Sequence, residues 1–183
     1  MVPLPQEGGY IYYQKVLIMV KQDIEYYIHR DLQEDEQQTA LTFISFLRNK
    51  NLTFWKDNCD CWKNKVYYWV KYKNECVCFI AIKDPDEEHN RWTVWSDDMG
   101  SEWLSQDSIN NKVKELAWKH IDYCGKCGSC GGGRHKVVFG KDFYNVCGCT
   151  FRIDNPTSED LIFLEKMVEI RIREVKSSTQ NHL

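Results

Sequence analysis

Nine cysteines punctuate the 183-residue chain, in close-set groups at 59/61, 76/78, 124/127/130 and 147/149. The densest group lies in "YCGKCGSCGGG", Tyr123 to Gly133, where Cys124, Cys127 and Cys130 recur at every third position. Thiolates are the soft donors that zinc and iron–sulfur clusters take. Three thiols on this spacing converge on one ion only if the backbone turns between them, and Gly125, Gly128 and Gly131 to Gly133 permit such turns. A tetrahedral zinc needs a fourth donor. Cys147 and Cys149 are the nearest candidates; two apart on a strand, they face the same side, so spacing does not choose between them. His120 and His135 stand in reserve. Lys126, Arg134, His135, Lys136 and Lys141 are placed to offset the negative charge of the thiolates. A structural zinc contributes about 10–16 kcal/mol of apparent binding free energy, which would be decisive for a glycine-rich loop with few apolar residues.

Two active readings use the same thiols. An iron–sulfur cluster fits C-x2-C-x2-C with a remote fourth cysteine, although no proline follows Cys130, Cys147 or Cys149. A thiol–disulfide centre fits less well, because its C-x2-C opens a helix after a strand, and here the motif follows a helical pattern. Cys59, Cys61, Cys76 and Cys78 form a second metal cluster if the fold brings them together; the competing account is that buried cysteine packs as a small apolar residue.

Elsewhere the chemical signals are sparse. Trp62, Trp69, Trp92 and Trp95 gather in one stretch and are candidates to line a pocket for a flat apolar ligand, against the simpler role of core residues. Asp97, Asp98 and Glu102, and the acids of residues 84–88, read as solvated turns. No Ser/His/Asp order, phosphate loop or dinucleotide fingerprint is present. These features point to a non-enzymatic, zinc-stabilised binding or interaction module. The alternatives are a redox or iron–sulfur protein, and a small-molecule sensor or enzyme built on the aromatic pocket.

The C-terminal motifs carry a resemblance. "CGKCGSC", "GKDFYNVC" and "NPTSEDL" occur here in the order found in a group of uncharacterised small bacterial proteins, whose tails run CxxCxxC, GKxFxxVC and a last helix after an Asn-Pro turn. The likeness spans residues 40–175 and is sharpest over 124–156. It implies Cys124, Cys127, Cys130 and Cys147 as a ligand set, leaves Cys149 extra to the pattern, and brings no activity with it.

The elements that must position these residues follow from periodicity. Residues 14–31 carry a helical stripe of Val16, Val20, Ile24 and Ile28. Residues 33–38, "QEDEQQ", read as a polar linker, and a second helix is predicted over 39–50 from a Thr39 cap. "KVYYWVKY" and "CVCFIAI" alternate as strands about a turn at 73–75, with Cys76 and Cys78 on one face. "RWTVW", 91–95, is a third strand, and 108–121 a third helix capped by Asp107 or Ser108. Short strands are expected at 136–140 and 145–153. A last helix, 157–175, follows Pro156, with Thr157 as its cap. The expected fold is α+β: one domain over 1–183, a small antiparallel sheet of about three to five strands packed with helices, and a zinc-knuckle-like Cys-rich subregion at 123–150.

Composition excludes several classes. Apolar residues make up 43% and charged residues 28%, with a net charge of −3, so general binding to nucleic acid or to an anionic membrane is not expected. Seven tryptophans promise a large buried aromatic area. The start "MVPLPQEGGYIYYQK" lacks a basic n-region, and "VLIMV" is too short to span a membrane. A cytoplasmic protein with reduced thiols is predicted, its partner a small molecule or another protein.

Overall fold

Alternating apolar residues draw the middle of the chain into a ladder of antiparallel strands. The computed structural model describes residues 23–58, 65–98, 109–125 and 131–180, which form an α+β fold. Its strands are β1 (Thr53–Lys56), β2 (Val66–Tyr72), β3 (Glu75–Ile82), β4 (Trp92–Ser96), β5 (Ile121–Tyr123), β6 (Arg134–Val138) and β7 (Lys141–Asp154). Its helices are α1 (Ile24–Asp31), α2 (Glu34–Asn49), α3 (Asn111–Lys119) and α4 (Leu161–Gln180). The strands make one seven-stranded antiparallel sheet in the order β1-β2-β3-β4-β7-β5, with β6 also paired to β7. That is wider than the sheet expected from sequence. No described helix is long and apolar enough to cross a membrane.

The β2–β3 hairpin closes on Lys73 and Asn74, both at positive φ (49° and 71°). Such a two-residue turn matches the twist of its strands. Phe139 and Gly140 (φ 49° and 83°) repeat the device between β6 and β7. Helix starts obey local chemistry. The Asp23 carboxylate accepts the Ile24 N–H (2.8 Å) at the head of α1, and the Asn110 side chain accepts the Val113 N–H (2.9 Å) at the head of α3.

Several boundaries differ from expectation, and two have clear physical reasons. Residues 34–38 are helix, not linker: Glu34, Asp35 and Glu36 suit the positive end of α2, and Glu36 accepts the Gln33 N–H (3.1 Å). Thr39 is therefore no cap; its hydroxyl bonds back to the Asp35 carbonyl inside the helix (3.2 Å). Ile121 leaves the predicted third helix and opens β5. Asp107, Ser108 and residues 14–22 lie outside the described residues.

Register sorts the sheet into two faces. Val66, Tyr68 and Val70 stand opposite Ile82, Ile80 and Cys78, and these oppose Trp92, Val94 and Ser96. This face is buried in the core with Ile24, Ile28, Phe43, Ile44, Leu47, Phe163 and Leu164 from the helices. Tyr67, Trp69, Phe79, Trp95 and Arg152 occupy the other face.

Two polar devices hold the C-terminal half. Asp160, just ahead of α4, accepts the Thr157 N–H (2.9 Å) and hydroxyl (2.8 Å) and meets His120 Nε2 at 2.8 Å. It thereby ties the end of α3 to the start of α4. Burial alone would push its carboxyl up, but the Thr157 N–H, His120 and the Thr157 hydroxyl outweigh that and hold it below the usual range. The second device sits on β7. One edge of that strand is paired by β6 over residues 141–146 and by β4 over 152–154. Between them no described strand pairs that edge, and side chains take over. Asp98 accepts the Thr150 N–H (2.8 Å), and the Ser96 oxygen accepts the Phe151 N–H (3.1 Å). Ser96 Oγ and Asp98 are themselves bonded at 3.0 Å. The Lys136 ammonium donates to the Gly148 carbonyl (2.8 Å) and to Thr150 Oγ1 (2.7 Å). The Asp98 side chain is 0% exposed, and its second oxygen lies 3.9 Å from Lys136 Nζ.

Both devices are testable by denaturation. Asp160→Asn should lower stability by about 2 kcal/mol at neutral pH, the scale of hydrogen bonds to a charged group. Because the native carboxyl is depressed, the wild-type advantage is full above the ordinary value of 3.8 and fades as pH falls below it. An advantage that grew in acid would contradict the assignment. Asp98→Ala should cost about 3–5 kcal/mol, since it orphans two buried donors and removes the carboxylate beside the Lys136 ammonium; a loss under about 1 kcal/mol would show that the β7 gap needs no such patch.

Candidate metal centre

The thiols of the C-terminal region are placed by β5 and β7. Tyr123 pairs with Val146 across one edge of β7, and Arg134 pairs with the same Val146 across the other. The chain therefore leaves β5 and re-enters β6 on opposite edges of one residue, a span of about 10 Å, or two strand spacings. Both ends of the connection are fixed to Asn145. The Cys124 N–H donates to the Asn145 carbonyl (2.8 Å), and Asn145 Nδ2 returns to the Cys124 carbonyl (3.5 Å). At the far end, a Cβ on Gly133 would fall 2.8 Å from the Asn145 backbone, so only glycine fits. Asn145 takes a left-handed φ of 59°, which asparagine tolerates.

Alternation then sets direction. Val146, Gly148 and Thr150 are buried, while Cys147 and Cys149 between them are half-buried. Both thiols stand on the side of Arg152 and Asp154, because Thr150 and Phe151 are consecutively buried and the strand is irregular there. On β5, Asp122 and Cys124 share the side opposite Tyr123. Cys127 and Cys130, the other two cysteines of the grid, lie outside the described residues, as do Cys59, Cys61 and Trp62.

The electrostatics of this strip are acidic. Burial, then the charges of Asp98, Cys147, Asp97 and Asp122, push the Cys149 thiol up to about 12. Burial also raises the Asp122 carboxyl, opposed by a hydrogen bond from Cys147 and by Arg152. Burial, then the charge of Asp97, raises the Cys76 thiol, which donates to the Cys78 carbonyl (3.6 Å). A cation brought here would find sulfur and oxygen donors, while most of the described basic side chains nearby are engaged elsewhere. Arg152 is paired with Glu87 and Asp154, His135 with Asp142 (2.7 Å), and the Lys141 ammonium lies over Trp118 and Phe143. Lys136 is turned into the β7 gap. Among the described residues, no three His, Cys, Asp or Glu side chains are gathered to hold an ion.

Other expectations resolve differently. Cys76 and Cys78 do not share a face. A bulge sets Val70 opposite Cys78 but Lys71 opposite Cys76, so Cys78 enters the core while Cys76 joins the outer face. Asp98, read as part of a solvated turn, is a buried ladder substitute. Trp69 and Trp95 share the outer face, whereas Trp92 is in the core at 1% exposure. The outer rings pack on one another: Trp69 on Phe79 (4.8 Å), Phe79 on Tyr67 (5.9 Å) and Tyr67 on Trp95 (6.0 Å). A cavity of about 550 Å³ lies elsewhere, beside the α1–α2 turn, lined by Asp31, Gln33, Lys83, Glu88 and Arg91.

No protein-family model, curated protein or solved structure matches the chain.

Protonated, half-buried or buried thiols alkylate slowly. In native protein at pH 7.5, iodoacetamide should label Cys76, Cys78 and Cys149 at least about tenfold more slowly than in urea, read by peptide mass spectrometry. Equal rates in the two conditions would contradict the burial assigned to them.

Proposed function

We propose that the protein is a non-enzymatic binding module whose β5–β7 region is fastened by one zinc ion. Cys124, Cys127 and Cys130 supply three sulfurs, and β7 supplies the fourth from Cys147 or Cys149. The observation that carries this reading is the double anchoring on Asn145. The connection bearing Cys127 and Cys130 begins and ends beside the residue that precedes Val146 and Cys147. Its glycines and polar residues bring almost no apolar area to bury, so a metal would provide what a core cannot. Thiolate ligation requires reduced cysteines, which suits a cytoplasmic setting. The aromatic outer face, with Trp55 55% exposed and the Lys71 ammonium 4.7 Å above its ring, is the surface offered to a small-molecule or protein partner.

Protein purified without added metal should contain close to one zinc per chain by elemental analysis. Cys127→Ser should remove most of it and lower the melting temperature by roughly 10 °C, the scale of several kcal/mol in a chain of this size. Zinc-free wild-type protein of undiminished stability would end the reading. Brown protein containing iron would replace zinc by a cluster.

A further inference from the structure

We infer that the cavity beside the α1–α2 turn is a binding site for a small zwitterion, a free amino acid or a molecule like it, with a carboxylate at one end and an amine at the other. The cavity, about 550 Å³, lies between the end of α1 and the loop that joins β3 to β4. It shares no lining residue with the cysteine region, so zinc has no part in it. Its volume falls among those of small-molecule sites, about 300–1,000 Å³.

The walls are braced before any ligand arrives. The Lys83 N–H donates to the Arg91 carbonyl (2.6 Å) and closes the neck of the loop. Within the loop, the Glu87 N–H reaches the Asp84 carbonyl (3.1 Å) and the Asn90 N–H reaches the Glu87 carbonyl (2.8 Å). The Lys65 ammonium holds Asp84 (2.9 Å) and Asp86 (2.7 Å). Just beyond β7, Asn155 accepts the Arg91 N–H (2.7 Å) and donates to the His89 carbonyl (2.8 Å). A site built in advance loses little ordering entropy on binding.

Several charges at the cavity are taken up by neighbours. Arg30 donates to both oxygens of Asp31 (2.9 and 2.5 Å), and Lys65 holds Asp84. Arg91 uses only its Nε, on Glu36 (2.8 Å). Among the described residues, nothing pairs with the Arg91 Nη groups, the Lys83 ammonium or the Glu88 carboxylate. Two unengaged cationic groups and one unengaged carboxylate therefore line a single cavity. The Nη pair of an arginine is a planar fork that matches a carboxylate. A plain anion would also meet Glu88, at a like-charge cost, whereas an amine on the same ligand turns that meeting into an attraction. Leu32 and Pro85 offer apolar wall to the carbon skeleton. Lys83 holds a left-handed φ of 50°, and backbone strain of this kind gathers at ligand sites.

The test titrates the full-length protein at neutral pH with each of the common free L-amino acids, read by calorimetry and by the NMR shift of the Arg91 Nε–H. At least one should bind with a dissociation constant below about 1 mM. The carboxamide of that amino acid, and the amine left when its carboxylate is removed, should each bind about tenfold or more weakly. Lys83→Gln and Glu88→Gln should weaken the amino acid by a similar factor. Neither side chain is bonded within the described fold, so both variants should keep the wild-type circular dichroism and melting temperature. Phosphate and succinate are the anions without an amine. Either one binding more tightly than every amino acid would overturn the zwitterion. A panel without a binder below about 1 mM, or a binder indifferent to both variants, would overturn the site.

Discussion

A strand cannot leave its backbone groups unpaired in a buried place, and β7 is the strand on which this constraint bears hardest. It runs from Lys141 to Asp154 and joins β6, β5 and β4 into one sheet. Because β6 stops before β4 begins, its middle would face the interior with orphan amides and a bare carbonyl. Ser96, Asp98 and Lys136 close that gap with side chains. A neutral hydrogen bond nets about 1 kcal/mol, but an unsatisfied buried group costs its full desolvation. The patch therefore matters more for what it prevents than for what it adds.

The same strand decides what chemistry the C-terminal half offers. Its irregularity at Thr150 and Phe151 turns both inward and leaves Cys147 and Cys149 on the outer side with Arg152. Without that break, alternation from Ile153 would carry both thiols into the core. The left-handed turn at Asn145 fixes the two ends of the cysteine-bearing connection at one point. A metal centre here would be an extension of the sheet, with its rigid donors on strands and the remainder on the connection.

Much of the sheet was legible. The β2–β3 hairpin alternates cleanly, and Lys73-Asn74 is a recognisable turn, so its strands and faces follow from sequence nearly to the residue. The described part of the α1 stripe, Ile24 and Ile28, was legible from its helical period. What escaped had short or contrary local signals. β1, "TFWK", and β5, "IDY", are too brief for a period to show, and exist because longer neighbours pair with them. The first turn of α2 is acidic, which reads as linker but suits a helix dipole. The opposed faces of Cys76 and Cys78 follow from one bulge, which no pattern announces. At the candidate centre, spacing picked out the cysteines as candidates, but the bonding of Cys124 to Asn145 required a register between residues more than twenty positions apart.

The central claim is that side chains complete the β7 ladder and so hold the thiol-bearing half to the rest of the sheet. Native-state hydrogen exchange at the amides of Thr150 and Phe151 tests it most directly. The account predicts protection within about an order of magnitude of Val94 and Ile153, whose amides lie in regular ladders. Exchange of Thr150 and Phe151 within minutes, while Val94 and Ile153 stay protected, would show that the two halves are joined by proximity alone.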